Sequence, residues 1–310
     1  MTSASEDSER LRRPPWERFR AALDARGFRP SRRLGQNFLL DDNQAFAIAR
    51  DAGFERGDFV LEVGAGCGFL SIHLLELGAR LLAIEIDPRL AEVAREFIDQ
   101  HGGQAQAELL LTDVLAGKHE LSPEVCSRLP DAGAWHLVSN LPYSVSAPVL
   151  SLCADREPAP TSMTVLVQRE VAERVAARPD SRAWGPLSIT LQVGYDARIL
   201  RSIGPASFWP RPQVDSAVVQ LRRRADRPPA AERARLRELV GGLFHRRRQT
   251  LGRVLGDLLK PAGGGRGGRE RAEAVLAELG MEPGIRAEVL SIADLRSLCE
   301  AIWREQGSPG

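Results

Sequence analysis

Hydrophobic and polar positions over residues 40–225 form two repeating patterns. Short apolar runs predict buried strands, and segments with apolar residues at helical spacing separate most of them. The predicted strands are residues 59–63, 81–86, 109–111, 135–139, 163–167, 189–195 and 217–221. The predicted helices between them include residues 44–52, 70–77 and 88–100. This alternation is typical of an α/β fold with a doubly wound, mostly parallel sheet, and the last two strands indicate an antiparallel hairpin.

The pattern differs at the two ends of the chain. Residues 1–30 are rich in arginine and predict a flexible N-terminal arm, with a short helix over residues 16–25. The pair Pro228-Pro229 indicates a linker, after which helical spacing returns. The predicted elements there are helices over 231–244 and 269–279 and a glycine-rich loop over 263–268. We therefore expect three parts: the arm (1–30), an α/β domain (31–225) and a small helical domain (226–310).

Composition narrows the class of protein. Of 310 residues, 43% are hydrophobic and 27% are charged, which is ordinary for a globular protein. No apolar run approaches the roughly 18 to 20 residues that a membrane span needs, and the polar N-terminus lacks the apolar core of a secretory signal. The four cysteines are far apart, without the spacing of a disulfide framework or a zinc site. We expect a cytoplasmic protein without a metal.

The net charge of +1 conceals local clusters of arginine. Nine arginines lie between Arg10 and Arg33, and a second cluster consists of Arg246, Arg247 and Arg248. A nucleic-acid partner needs only a local positive surface to neutralise its phosphates. The alternative for the second cluster is a solvated helix face, which is the usual role of a charge run.

A glycine-rich turn follows the first predicted strand directly. Its sequence is Gly64-Ala65-Gly66-Cys67-Gly68, which lets the backbone turn sharply and lets a ligand approach closely. Glu85 ends the second strand, about twenty residues later, where an acid can accept both hydroxyls of a ribose. Asp113 follows the third strand and is well placed to accept from an adenine amino group.

Two features favour S-adenosylmethionine over a dinucleotide at this turn. Glu62 precedes the first glycine by two residues, and a carboxylate is useful near a positively charged sulfonium. The glycine spacing also departs from G-x-G-x-x-G, in which the helix N-terminus receives a pyrophosphate. A dinucleotide oxidoreductase remains the weaker alternative.

The tetrad Asn140-Leu141-Pro142-Tyr143 follows the predicted strand 135–139, at the edge where open α/β sheets bind ligands. The tetrad suits methylation of a planar exocyclic amine. Tyr143 can stack on a base, while the Asn140 side-chain oxygen and a backbone carbonyl of Leu141 or Pro142 accept the two amine hydrogens. The alternative is an ordinary strand-to-loop turn with a half-buried tyrosine.

These motifs together resemble the ribosomal RNA adenine N6,N6-dimethyltransferases, the bacterial small-subunit branch (KsgA/RsmA type) in particular. Beside the glycine turn, the resembling blocks are LGQNFL (34–39), IEID (84–87), SNLPY (139–143), QREV (168–171), WGPLS (184–188), FWPRPQVDSAV (208–218), and Phe244 with RRRQTL (246–251). The resemblance covers residues 31 to 255 and extends toward the C-terminus.

The resemblance implies a Rossmann-like, seven-stranded class I S-adenosylmethionine-dependent methyltransferase core with a small all-α C-terminal domain. The implied cofactor contacts are Asn37, Leu39, Gly64, Glu85, Asp113 and Asn140. Tyr143 and Phe208 are the implied walls of an adenine pocket, and Arg246–Arg248 the implied RNA contact. The implied substrate is two adjacent adenosines near the 3′ end of small-subunit rRNA, dimethylated within an assembling pre-30S particle by a monomeric enzyme.

This chain departs from the family pattern at several positions. Ser139 stands where the family often has glycine, and Gln249 where lysine is common. Trp184 replaces a tyrosine and Pro186 a frequently basic residue, both expected near the RNA path. Two further alternatives stay open: a 23S rRNA methyltransferase of the macrolide-resistance type, and a non-catalytic assembly factor that uses the fold as a scaffold.

Overall fold

The computed structural model describes residues 15–31, 34–117, 120–260 and 267–305. The strands are β1 (Phe38–Leu39), β2 (Phe59–Val63), β3 (Arg80–Glu85), β4 (Ala107–Leu111), β5 (Leu115–Gly117), β6 (Glu120–Leu121), β7 (Trp135–Asn140), β8 (Ser162–Gln168), β9 (Tyr195–Ile203), β10 (Phe208–Trp209) and β11 (Ser216–Arg223). The helices are α1 (Trp16–Ala25), α2 (Asp42–Asp51), α3 (Phe69–Glu76), α4 (Pro88–Gln100), α5 (Pro123–Cys126), α6 (Ser146–Asp155), α7 (Arg169–Val175), α8 (Pro186–Gln192), α9 (Ala230–His245), α10 (Leu251–Leu258), α11 (Gly268–Glu278) and α12 (Ile292–Glu305).

Seven strands form one sheet in the order β4-β3-β2-β7-β8-β11-β9. Strand β2 pairs in parallel with both β3 and β7, β3 with β4, and β7 with β8. Strand β11 runs antiparallel to β8, with Ser216 opposite Gln168. The mostly parallel, seven-stranded sheet that the sequence resemblance implies is therefore confirmed. The chain builds outward in one direction after β2 and in the other after β7, so the topological switch lies between these strands.

The helices that flank the sheet form for local reasons visible in the sequence. Helix α4 begins with Pro88, whose fixed φ suits the first helical position, and the Asp87 carboxylate caps it by accepting from the Arg89 N–H. Its apolar positions recur at helical spacing and are buried, from Leu90 to Phe97. Burial of this face, rather than helix propensity, holds α4 against the sheet.

The strand predicted over residues 189–195 is wrong. Residues 189–192 belong to α8, which starts at Pro186, where the Gly185 N–H donates to the Ser188 hydroxyl at 3.2 Å. A short apolar run has no period of its own that separates a helix from a strand, and the proline start decided the outcome here. The strand at this edge of the sheet is β9, which begins at Tyr195 and neighbours β11. Its polar residues, including Asp196, Arg198 and Arg201, hid it from a search for apolar runs.

The short helix predicted over residues 16–25 is confirmed as α1, but this helix packs into the core and does not form part of a flexible arm. Helix α1 carries Phe19 and Leu23, which are fully buried, as is Phe28 just after it. The Phe19 ring stacks on Phe97 of α4, with ring centroids 4.0 Å apart. The arginine content masked this apolar face in the sequence, and the Arg20 guanidinium itself lies 3.9 Å from the centroid of the Trp209 ring. The remainder of the predicted arm, residues 1–14, lies outside the described residues.

The chain divides into two compact units. One contains residues 1–172 and 198–223, and the other contains residues 173–197 and 224–310. The second unit is largely helical, and its core includes Trp184 and Ile189 together with leucines of α9 to α12. The sequence placed 173–197 in the α/β domain, whereas the apolar side chains of this segment pack into the helical unit. Of the predicted glycine loop, residues 263–266 lie outside the described ranges.

Of the helices within the described ranges, none combines the length and apolar character that crossing a lipid bilayer requires.

Replacing Phe19 with alanine tests whether α1 is part of the core. Because the ring is fully buried on Phe97, we expect the free energy of unfolding to fall by about 3–5 kcal/mol. Urea titration monitored by circular dichroism measures this. Glu17→Ala, on the exposed face of the same helix, is the control and should change it by less than about 0.5 kcal/mol. Equal, small effects for both variants would mean that α1 is loosely attached.

Candidate active site

A cavity of about 210 Å³ opens at the carboxyl ends of the parallel strands. Its walls come from the segment that leads into β1, the glycine turn after β2, the ends of β3 and β4, and the tetrad after β7. The predicted residues among its lining are Asn37, Leu39, Gly64, Glu85, Asp113, Asn140, Leu141, Pro142 and Tyr143. The cavity therefore brings together residues that lie more than a hundred positions apart in sequence, such as Asn37 and Asn140.

Two glycines of the turn are required by their backbone and by their neighbours. Gly64 has a φ of +75°, and a Cβ there would lie 2.7 Å from Cγ of Pro142. Gly66 has a φ of +59°, and a Cβ there would lie 3.3 Å from the ring of Phe38. Larger residues would clash and be strained, so the turn keeps its backbone open toward the cavity.

Glu85 is fixed at the cavity by backbone N–H groups. Its carboxylate accepts from Gly66 at 2.7 Å and from Ile86 and Asp87 at 2.8 Å each. Burial raises the pKa of this carboxyl group, and the three N–H donors oppose that shift. Asp113 also lines the cavity, after the neighbouring strand β4, and one of its carboxylate oxygens accepts from the Leu115 N–H at 2.9 Å. Both acids are thereby held in defined orientations.

Glu62 is the most deeply buried acid of the cavity, with 1% of its surface exposed. The Ser71 hydroxyl donates to its carboxylate at 2.6 Å. Burial raises the pKa of Glu62 to about 8, the Ser71 bond opposes this, and the charge of Glu85 adds to it. A cation that binds beside Glu62 favours its ionised form, since opposite charges stabilise each other in a site of low polarity.

These donors and acceptors match the chemistry of S-adenosylmethionine. Two oriented acids, Glu85 and Asp113, suit the hydroxyl and amino groups of an adenosine, and Glu62 suits a positive charge. The glycine turn leaves room where a Cβ would otherwise stand.

The side chain of Asn140 has a defined orientation. Its Nδ2 donates to the backbone carbonyl of Asn37 at 3.1 Å, which leaves Oδ1 to accept from a ligand. The two candidate carbonyls of the tetrad also differ. The Pro142 carbonyl already accepts the Val145 N–H at 3.1 Å, which favours the Leu141 carbonyl as the second acceptor. The tetrad can therefore receive both hydrogens of an amine.

Tyr143 lines the cavity with its ring while its hydroxyl is held elsewhere. The hydroxyl forms a 2.8 Å hydrogen bond with that of Ser216, a fully buried residue at the start of β11. Burial raises the pKa of Tyr143, so the hydroxyl stays protonated and does not act as a base. The antiparallel direction of β11 brings its first residue to the edge where β8 ends. Sequence reasoning missed Ser216, although it lies within the resembling block 208–218.

Phe208 departs from the prediction that it forms the second wall of the cavity. It is 3% exposed and packs in the core, and it is absent from the cavity lining. Its strand β10 pairs with β1, where Phe208 lies opposite Leu39 and Trp209 opposite Phe38. Phe208 is therefore a core residue that lies next to Leu39 of the cavity wall and does not itself line the cavity.

The arginine cluster lies in a turn between α9 and α10 of the helical unit rather than on a helix face. Arg246 is paired with Asp257, and Arg247 with Glu288 at 2.6 Å. Arg248 is exposed and has no ion-pair partner within the ranges that the structure describes. One of the three cations is therefore the most available to an outside anion.

The sequence suggests that Trp184 lies near the RNA path, but its side chain is buried and cannot contact RNA. It is 1% exposed in the core of the helical unit, and its Nε1 donates to the Leu290 carbonyl at 3.2 Å. Pro186 is exposed at the start of α8. In the described parts of the chain, no group of three or more His, Cys, Asp or Glu side chains is arranged to hold a metal ion.

The sheet order and the chemistry of this cavity define the class I S-adenosylmethionine-dependent methyltransferases. Residues 27–268 match the family model described as ribosomal RNA adenine dimethylase, and the chain belongs to that family. A relative from Thermobifida fusca, named ribosomal RNA small subunit methyltransferase A, is 37% identical over 300 residues. This match covers 97% of this chain and 99% of the relative.

Solved structures agree with the fold. A dimethyladenosine transferase from Plasmodium falciparum matches with a TM-score of 0.73 and 22% identity, over 87% of this chain and 98% of that one. The 23S rRNA methyltransferase ErmE matches with a TM-score of 0.62 and 25% identity, over 86% and 99%.

The raised pKa of Glu62 predicts that donor binding depends on pH. The empty site favours the neutral acid below about pH 8, and a cationic donor favours the carboxylate, so binding releases a proton. Affinity for S-adenosylmethionine should therefore rise with pH up to about 8, by at most about tenfold per pH unit. Isothermal titration calorimetry between pH 6 and 9 measures this, with Glu62→Gln as the variant that should lose the slope. An unchanged slope in that variant would assign the titration to another group.

Proposed function

We infer that this chain is an S-adenosylmethionine-dependent rRNA adenine N6,N6-dimethyltransferase that modifies two adjacent adenosines near the 3′ end of 16S rRNA. The observation that carries this inference is the amide of Asn140, which lines the cavity and whose Nδ2 donates to the Asn37 carbonyl, so that Oδ1 is left to accept from a ligand. Family membership supports the reaction, and the name of the T. fusca relative supports the small-subunit substrate.

When bound, the donor supplies an electrophilic methyl group on a sulfonium. The adenine amine is a weak nucleophile, because its lone pair is delocalised into the ring. Hydrogen bonds from the amine to Asn140 Oδ1 and to the Leu141 carbonyl favour a pyramidal nitrogen with an exposed lone pair. Positioning and electrostatics then account for most of the acceleration, without a strong general base.

The adenine has to leave its stack to reach the cavity. Tyr143 offers one face, and stacking of a base on an aromatic ring is worth roughly 1–3 kcal/mol. The Ser216 bond holds the tyrosine hydroxyl at one place, which limits how the ring can turn. Phe208 would reach the other face only after its ring leaves its present packing.

The 23S rRNA alternative is weaker than the small-subunit assignment. ErmE is 25% identical to this chain, whereas the T. fusca relative is 37% identical over nearly the whole of both chains. A non-catalytic assembly factor would have no use for the oriented acceptor at Asn140 or for the acids at Glu62 and Glu85. No feature of this site specifically supports the 23S rRNA methyltransferase or the non-catalytic assembly factor.

The remaining partners follow from this function. We place the reaction in the cytoplasm, on rRNA within an assembling pre-30S particle, with the enzyme as a monomer. The α/β unit carries the chemistry. The helical C-terminal region, including Arg246–Arg248, contacts the RNA.

Methyl incorporation into 30S subunits, 50S subunits and naked rRNA tests the function, with the products mapped by mass spectrometry. All substrates come from cells that lack the modification. We expect N6,N6-dimethyladenosine at two adjacent positions near the 3′ end of 16S rRNA in the 30S sample. Methylation of 50S subunits instead would favour the 23S alternative, and no incorporation into any substrate would favour the assembly factor.

Asn140→Ala should lower kcat at least about 100-fold, because an acceptor aimed at the reacting group is lost. Binding of S-adenosylhomocysteine should weaken less than about tenfold, because Glu85 and Asp113 remain, and a lost hydrogen bond to a neutral group costs about 1 kcal/mol. The 30S assay and calorimetry give the two values, and Asn43→Ala, an exposed residue of α2, is the control. Near-wild-type turnover would refute the acceptor role.

Arg248→Gln should weaken 30S binding at low salt and reduce the salt slope of log K by about one. The matched variant Arg247→Gln should have a smaller effect on binding, because Arg247 is already paired with Glu288. Filter binding at several salt concentrations measures both. If the two variants bind like the wild type at every salt concentration, the cluster does not contact RNA.

A further inference from the structure

Strands β2 and β7 part at the cavity. The backbone ladder between them ends at the pair Leu61–Leu137, although β2 continues to Val63 and β7 to Asn140. On its other side each strand stays paired to its last residue, β2 with β3 and β7 with β8. The cavity therefore lies where β2 and β7 separate, and its width depends on the contacts that join the ends of these two strands.

Ser139 spans this opening. Its hydroxyl donates to the backbone carbonyl of Val63 at 2.6 Å, and its side chain is fully buried. Val63 directly precedes Gly64 of the glycine turn, and Ser139 directly precedes Asn140 of the tetrad. One hydroxyl-to-carbonyl bond therefore joins the residues next to the two halves of the site, where backbone pairing has already ended.

Contacts further along both segments depend on this spacing. Pro142 lies so close to Gly64 that a Cβ on the glycine would be 2.7 Å from the proline ring. The Asn140 amide reaches the Asn37 carbonyl at 3.1 Å. If the end of β7 moved away from β2, the contact between Pro142 and Gly64 would loosen and the orientation of Asn140 would change.

We propose that Ser139 is a positioning residue that sets the separation between the donor half of the cavity, at the glycine turn, and the acceptor half, at the tetrad. The proposal rests on the methyl transfer inferred above. In-line transfer is sensitive to this separation, since a misplacement of about 1 Å can cost about 10²-fold in rate.

Ser139→Ala and Ser139→Cys test the proposal. Alanine leaves the Val63 carbonyl without its donor, and cysteine keeps a similar size but donates weakly. With unmethylated 30S subunits and labelled S-adenosylmethionine, we expect kcat to fall about tenfold in both variants. This loss is smaller than the roughly 10²-fold cost of a misplacement of about 1 Å. The Kd for S-adenosylhomocysteine, measured by calorimetry, should stay within about threefold, because the donor contacts on Glu85 remain. Assays run well below the melting temperature of each variant.

Ser162→Ala is the matched control. Ser162 is also buried, and its hydroxyl donates to the Ala52 carbonyl at 3.1 Å and forms a 2.8 Å hydrogen bond with His136 Nδ1. It lies at the start of β8, at the end of the sheet opposite the cavity. We expect this variant to melt at a lower temperature. Its kcat should stay within about twofold of wild type, because Ser162 is distant from the cavity and mutations at distant sites act independently.

Ser139 variants that lose stability but keep the wild-type kcat, as Ser162→Ala should, would overturn the proposal. If the alanine variant does not fold, the cysteine variant and Ser139→Gly decide the question by the same comparison. An inactive wild-type protein would contradict the proposed function itself, and the wild-type arm of the assay distinguishes that failure from a failure of the Ser139 proposal.

Discussion

The site depends on the parting of two parallel strands that are paired for half their length. Below Leu61 and Leu137, backbone hydrogen bonds fix the spacing of β2 and β7. Beyond that pair, the spacing is set by side-chain contacts, chiefly Ser139 with Val63 and Pro142 with Gly64. The switch in chain direction between these strands creates the opening, as in other open α/β sheets. Every residue that we assign to the donor or to the adenine approaches this opening from one side or the other.

The electrostatics of the cavity follow from its burial. Glu62 and Glu85 are buried at the cavity, whereas Asp113, which also lines it, is exposed to solvent. Glu85 and Asp113 are held by N–H donors, whereas Glu62 has a hydroxyl partner and a pKa raised to about 8. The cavity is therefore prepared for a ligand that brings its own positive charge and its own hydrogen-bond donors. A dinucleotide would bring an anionic pyrophosphate to these acids, which opposes its binding.

Much of the fold could be predicted from the sequence, because strands such as β2 and β7 are short, mostly apolar runs followed by turn residues. The run 189–195 failed because its length and composition suit a helix equally well. Contacts between distant segments were out of reach. The Asn140–Asn37 bond joins residues 103 positions apart, and the Tyr143–Ser216 bond joins residues 73 apart. Likewise, the burial of Phe208 and the ion pairs of Arg246 and Arg247 depend on packing that no local pattern records.

The most direct test of the account is a crystal structure of the protein with S-adenosylhomocysteine and a short RNA that contains the two target adenosines. We predict that the adenine N6 lies about 3 Å from Asn140 Oδ1, with Nδ2 still donating to the Asn37 carbonyl and the base stacked on Tyr143. The ribose of the cofactor product should contact Glu85. An adenine bound with its N6 away from Asn140, or an Asn140 amide turned so that Nδ2 faces the base, would contradict the account.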